Sequence, residues 1–128
     1  MARQIINPPN IVSMPAAYSQ AVKVGNMVII SGQVAWDKDG HVVAVGDARA
    51  QAEKAYENMA EVLKAAGATF KDIVKITTFV VNPDDLGKLR GVKDRFFEGN
   101  VPASTTVCIK QLARPELLIE IEAIAVIE

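Results

Sequence analysis

A chain of 128 residues, half of them hydrophobic and 23% charged, has the size and composition of one globular domain with its own core, which excludes disordered, collagen-like and low-complexity classes. Fourteen lysines and arginines against 15 aspartates and glutamates give a net charge of −1, shared evenly between the two halves. Neither half carries the basic excess that binding to a phosphate backbone requires, so nucleic acid is set aside as a partner. The longest apolar runs, residues 27–30 and 123–127, are far shorter than the ~20 residues that cross a bilayer, and the first residues lack the apolar stretch of a secretory leader. A single domain over residues 1–128, cytoplasmic and without a membrane helix, is therefore expected. One cysteine, Cys108, excludes an internal disulfide, and with one histidine, His41, no structural zinc site is expected. Cys108 sits in the alternating run Thr106-Val107-Cys108-Ile109 and reads as a small buried hydrophobe. His41 follows the turn signal Asp37-Lys38-Asp39-Gly40 and reads as an exposed residue at the start of a strand.

In chain order, residues 20–24 and 27–31 are two β-prone runs around Gly25-Asn26, the composition of a tight hairpin. Residues 34–36 and 41–45 flank the turn at 37–40 and suggest a second hairpin. From Asp47 the period changes: Ala48, Ala52, Ala55, Met59, Val62, Leu63 and Ala66 form one helical stripe, with Asp47 to cap its start and Gly67 its end. The alanines predict a close approach to whatever the helix covers. Residues 73–81 are the strongest strand signal and predict a central strand. Asn82 as cap, Pro83 at the first helical position and Asp85 in the first turn predict a second helix running to about Glu98, weakened by Gly87 and Gly91. Two further strands are expected at residues 104–109 and 117–126, separated by a breaker at Pro115.

Two helices cannot cover both faces of a parallel sheet of this size, so the order predicts α+β, with a six-stranded mixed sheet covered by two helices on one face. Val22, Val28, Ile30, Val34, Val74, Ile76 and Val80 supply more apolar positions than a solvated face tolerates, and oligomerisation through the other face is the simplest resolution. No nucleotide loop, metal-ligand cluster or Gly-x-Ser-x-Gly elbow is present.

Four segments in order carry a family resemblance: residues 17–22 (AYSQAV), Ser31-Gly32-Gln33, residues 102–107 (PASTTV) and residues 119–125 (IEIEAIA). They resemble the signatures of the YjgF/YER057c/UK114 family, also called the RidA family, from about residue 5 to the end. The resemblance implies a chorismate-mutase-like fold and a homotrimer with three ligand clefts between subunits. It also implies a cofactor-free deaminase that hydrolyses enamine or imine acids to 2-oxo acids and ammonia. On this basis Glu120 matches the acid that orients the attacking water, Tyr18 and Ser31-Gly32 line the cleft, and Thr106 completes its wall. The expected ligand is a small carboxylic acid, and no cofactor or metal is implied.

Three positions depart from the family pattern. The arginine that should follow Pro102-Ala103 and hold the substrate carboxylate is Ser104, which offers one neutral hydrogen bond in place of a charged planar fork. In the second helix, Arg90 and Lys93 stand where the family often has Asn and Tyr. These departures suggest that the cation has moved from strand to helix, with an altered substrate specificity for a longer dicarboxylate or an aminomuconate-like acid. The alternative is a non-catalytic small-molecule-binding or protein-interacting trimer. Each residue also has a plainer reading: Arg90 and Lys93 as a solvated helix face, Glu120 and Glu122 as the polar face of a strand, Tyr18 and Trp36 as packing. Ribonuclease activity, also implied by the family, fits poorly with the even charge.

Overall fold

The Gly25-Asn26 turn forms as expected, with Gly25 at φ 60° and Val24 paired to Met27 across it. In the computed structural model, which describes residues 2–128, it joins β2 (Ala21–Val24) to β3 (Met27–Gln33). The other strands are β1 (Arg3–Ile6), β4 (Ile73–Val80), β5 (Ala103–Cys108) and β6 (Ile119–Val126), in the sheet order β1-β2-β3-β6-β4-β5. All neighbours are antiparallel except β4 and β5, whose parallel pairing needs the crossover carried by the second helical region. The architecture is the expected α+β, a six-stranded mixed sheet. No helix among the described residues is long and apolar enough to cross a membrane.

The helix α1 (Ala48–Ala66) begins where Asp47 accepts a hydrogen bond from the Ala50 N–H at 3.0 Å and ends at Gly67, whose φ of 78° only glycine adopts cheaply. All seven residues of the predicted stripe are buried. They pack on β3 and β6, and the alanines let the helix backbone approach the sheet closely. Burial alternates along β6: Ile119, Ile121, Ala123 and Ala125 point into α1, so Glu120 and Glu122 belong to the opposite face.

Four expectations are corrected. The second hairpin is a single bridge, Trp36 to Val42, because the Asp37 carboxylate takes the Asp39 and His41 N–H groups at 2.9 and 3.0 Å and closes the turn. His41 is exposed there, as expected. The sheet instead gains β1, an edge strand on β2 whose four residues gave too short a signal. The second helix is split into a 3-10 stretch (Pro83–Leu89) and a four-residue α2 (Asp94–Phe97), because Gly91 turns the chain at φ 81°. Its start is as expected, with the Asn82 side chain accepting from the Asp84 N–H at 3.0 Å. Cys108 is exposed at the end of β5, an edge strand all six of whose residues are exposed.

The apolar surplus is also distributed differently. Val28, Ile30, Ile76 and Val80 lie in the main core, since alternation turns them toward α1 and away from the open face, and Val34 lies in a smaller core with Leu112 and Leu117. Of the expected residues Val22 stays on the open face and Val74 is exposed, and other apolar residues join Val22 there. Ile5, Val22, Ile29 and Ile124 form one cross-strand row, in which Ile5 and Ile29 are 49% and 50% exposed.

Candidate functional site

Between Ile30 and Gln33 the register of β3 against β6 shifts, and Ser31-Gly32 form the resulting bulge. Ser31 is fixed from two sides: its N–H donates to the Gln20 carbonyl at 2.9 Å and its hydroxyl to the Ser19 carbonyl at 2.6 Å. Behind the bulge, buried Gln33 donates to the side-chain oxygen of buried Gln20 at 2.8 Å and to the Ser31 carbonyl at 3.0 Å. Gln20 in turn donates to the Val12 carbonyl at 2.8 Å. This network ties the segment holding Tyr18 to the bulge; both glutamines lie in segments that carry the resemblance, but the sequence assigned neither a role. Gln33 Oε1 has no partner among the described residues.

Glu120 lies directly over Gly32. A Cβ at that position would stand 2.5 Å from Glu120 Cδ and 2.7 Å from Oε2, so glycine is required by proximity to the carboxylate and not by backbone conformation. Burial pushes the half-buried Glu120 carboxyl above its ordinary pKa, and the charge of Glu122 adds to the rise. Burial likewise raises the Tyr18 hydroxyl, with the Glu120 charge contributing in the same direction. Tyr18, Ser31, Gly32, Trp36 and Glu120 line one cavity of about 650 Å³, which Arg114 and Glu122 also line. The structure therefore brings together four of the expected site residues, Tyr18, Ser31, Gly32 and Glu120.

Arg90, Ser104 and Thr106 lie elsewhere. Ile76 pairs with both Ser104 and Ala123, and Thr78 with both Thr106 and Ile121, so the two β5 residues share the helix face of the sheet, opposite Glu120. They line a second cavity of about 430 Å³ with Thr78, Tyr56, Arg90 and Lys93. Within one chain, Thr106 thus does not complete the wall that holds Tyr18 and Glu120. The turn made by Gly91 brings Arg90 and Lys93 round to Ser104, and the Arg90 carbonyl is held by Arg49 Nη1 at 2.8 Å. Burial pushes the Tyr56 hydroxyl in this cavity up to about 12, so it stays protonated.

Arg114 was also missed. It lies in the loop between β5 and β6, where the Leu117 N–H donates to its carbonyl at 3.1 Å across Pro115. Leu112 and Leu117 root this loop in the smaller core. Gln51 of α1, fully buried, donates to the Glu116 carbonyl at 2.9 Å and accepts from the Leu118 N–H at 2.8 Å. Away from both cavities, the ligand atoms of Asp37, Asp39 and His41 lie within 4.8 Å of one another in an exposed turn, and their hydrogen bonds account for that turn.

This fold recurs among known proteins. A protein from Dermatophagoides farinae named 2-iminobutanoate/2-iminopropanoate deaminase is 37% identical over 129 residues, covering 96% of this chain and all of that protein. A solved structure from Thermotoga maritima is 37% identical with a TM-score of 0.90, covering 98% of each chain. The crystal structure of E. coli TdcF with bound serine is 31% identical with a TM-score of 0.88, covering 98% of this chain and 99% of that one. The family model described as Endoribonuclease L-PSP matches residues 10–127, and this chain belongs to that family, which includes the relatives named imine deaminases.

Proposed function

We propose that the chain is a cofactor-free deaminase that hydrolyses small 2-imino acids to 2-oxo acids and ammonia. The observation that carries this reading is the half-buried Glu120 carboxylate, raised in basicity and seated over the Ser31-Gly32 bulge beside Tyr18. A protonated imine carbon is electrophilic. Glu120 accepts a hydrogen bond from the water that attacks it, water adds across the C=N bond, and collapse of the resulting carbinolamine expels ammonia and leaves the 2-oxo acid. Tyr18 and Ser31 place hydroxyl groups around the reacting carbon. The name of the Dermatophagoides farinae relative, 2-iminobutanoate/2-iminopropanoate deaminase, and the serine bound to TdcF agree with a small amino- or imino-acid ligand.

Two half-sites on opposite faces of one sheet call for assembly. In our reading the chain is a homotrimer in which the Glu120 cavity of one subunit meets the cavity of Arg90, Ser104 and Thr106 on its neighbour. Arg90 gives that second wall the charge that Ser104 lacks, and this alters substrate specificity. The exposed row of Ile5 and Ile29 and the uncovered strand β5 supply surface for the contact.

Ser104 also favours a second reading, a non-catalytic binder of small acids that keeps the cleft without the family's strand arginine. The test is ammonia release from 2-iminobutanoate. Wild type is expected to accelerate it, and Glu120→Gln to abolish the acceleration while retaining affinity for 2-oxobutanoate. Binding of 2-oxobutanoate without any acceleration would leave the binder reading in place.

A further inference from the structure

The Glu120 cavity is lined by two carboxylates, Glu120 and Glu122, and by one cation, Arg114. An acid substrate brought to Glu120 meets two like charges, so something on that wall must offset them. Ser104 cannot do so from within the subunit, because its ladder partners put it on the other face of the sheet. Arg114 is exposed, and no carboxylate of the described residues lies within ion-pair distance of it, although two glutamates share its cavity. Its fork is therefore available to an incoming anion. Its backbone is held: the turn over Pro115, the burial of Leu112 and Leu117, and the clamp of Gln51 on Glu116 and Leu118 fix the loop from both ends. A charged side chain on an anchored loop gives up less freedom on binding than one on a loose loop.

From this placement we infer that Arg114 is the residue that grips the substrate carboxylate beside Glu120, taking the role that a strand arginine would otherwise fill. The inference rests on the site proposed above and adds its specificity determinant. A bidentate guanidinium–carboxylate pair in the cavity fixes the acid end of the substrate and so points the neighbouring imine carbon at the water held by Glu120. Arg90, in the other cavity, then contributes charge to the facing wall and not alignment.

The experiment compares 2-oxobutanoate with its neutral amide, 2-oxobutanamide, by calorimetric titration of the whole chain, alongside ammonia release from 2-iminobutanoate. Wild type is expected to prefer the acid by about tenfold to a hundredfold, the range of one charge-assisted pair. Arg114→Ala should bring acid and amide to within about threefold and raise KM by about the factor of preference lost, with kcat changed less, since the grip is made in ground and transition states alike. Arg114→Lys should keep part of the preference as a point charge without the fork. Because Arg114 is exposed and unpaired, the melting temperature should not move, which separates lost recognition from lost folding. A retained preference in Arg114→Ala, or a preference lost in Arg90→Ala instead, overturns the inference. An Arg114-dependent preference without ammonia release upholds it and refutes the deaminase reading. Failure of wild type to bind either compound overturns both.

Discussion

Replacing Gly32 with alanine separates positioning from stability at the site. The new methyl carbon would stand 2.5 Å from Glu120 Cδ and 2.7 Å from Cγ and Oε2, where ordinary contacts begin near ~3.4 Å, so the carboxylate must shift by about 1 Å. The clashing atoms are the far end of a side chain that is only half-buried and can swing toward solvent, so folding should cost under about 1 kcal/mol, below the ~1–3 kcal/mol of overpacking in a closed core. The same 1 Å is expensive for chemistry, because displacing a group that orients a reacting water costs on the order of a hundredfold in rate. Gly32→Ala should therefore melt within about 3 °C of wild type and lose about a hundredfold in kcat for ammonia release from 2-iminobutanoate. Serine should behave like alanine. A variant with kcat within threefold of wild type would show that Glu120 has no fixed geometry to lose, and the reasoning would be refuted.

The raised Glu120 pKa makes two predictions. Turnover should fall as the carboxyl is protonated, so the acid limb of kcat/KM, which reports the free enzyme, should lie above the ordinary glutamate range, and a limb within that range would contradict the reasoning. For stability the sign is opposite to that of an ion-paired acid: the folded state holds the proton more tightly than the unfolded one, so Glu120 lowers stability as pH rises through the raised value. Glu120→Gln should accordingly melt higher than wild type at neutral pH and not below pH 4; equal melting temperatures at both would contradict the burial. Gln51→Ala leaves the Glu116 carbonyl and the Leu118 N–H without their partners in a buried setting and should cost about 2–4 kcal/mol, read as a drop in Tm of roughly 10 °C; a drop under 3 °C would show that the clamp is dispensable. The proposed apposition of half-sites predicts three times the chain mass by light scattering at micromolar concentration, and a monomer there would refute it.

The fold was legible wherever a local signal and the global pattern coincide. The α1 stripe, its two caps and the Gly25-Asn26 hairpin each depend on residues close in sequence, and each forms where expected. The misreadings of the second helix and the second hairpin share one cause, which is competition within a few residues. Pro83 and Asp85 begin a helix, but Gly91 at positive φ breaks it, and the helix that remains is short because its aromatic residues are recruited elsewhere: Phe96 stacks on Tyr56 of α1 at 5.1 Å and Phe97 meets the same ring edge-on at 5.8 Å. Residues 41–45 had the composition of a strand, yet the Asp37 side chain took the His41 N–H, leaving the Val43 N–H on the Ala35 carbonyl and the Asp37 N–H on the His41 carbonyl between the two arms. The apolar face was overestimated because a list of β-branched residues says nothing about which side of the sheet each one occupies until the register is known.

The site was legible only in part, and the boundary follows the same logic. Tyr18, Ser31, Gly32 and Glu120 were named on the resemblance, and their convergence depends on the β3 bulge, which no single-residue property announces. Ser104 and Thr106 were named with them, but strand alternation puts them on the helix face, so a set that reads as one site in sequence is two half-sites in space. That separation changes what a substitution at Ser104 means. A lost arginine there leaves the charge within the Glu120 cavity of its own subunit unaltered, and the loop that carries Arg114 faces that cavity independently of β5. Arg114 carried no motif, since a lone arginine before a proline is indistinguishable from a solvated loop residue until the loop is seen to be pinned. Gln51 was hidden for the complementary reason: on a helix of alternating charge it counts as surface, and its burial is explained only by the backbone groups of Glu116 and Leu118, more than sixty residues away, which it holds.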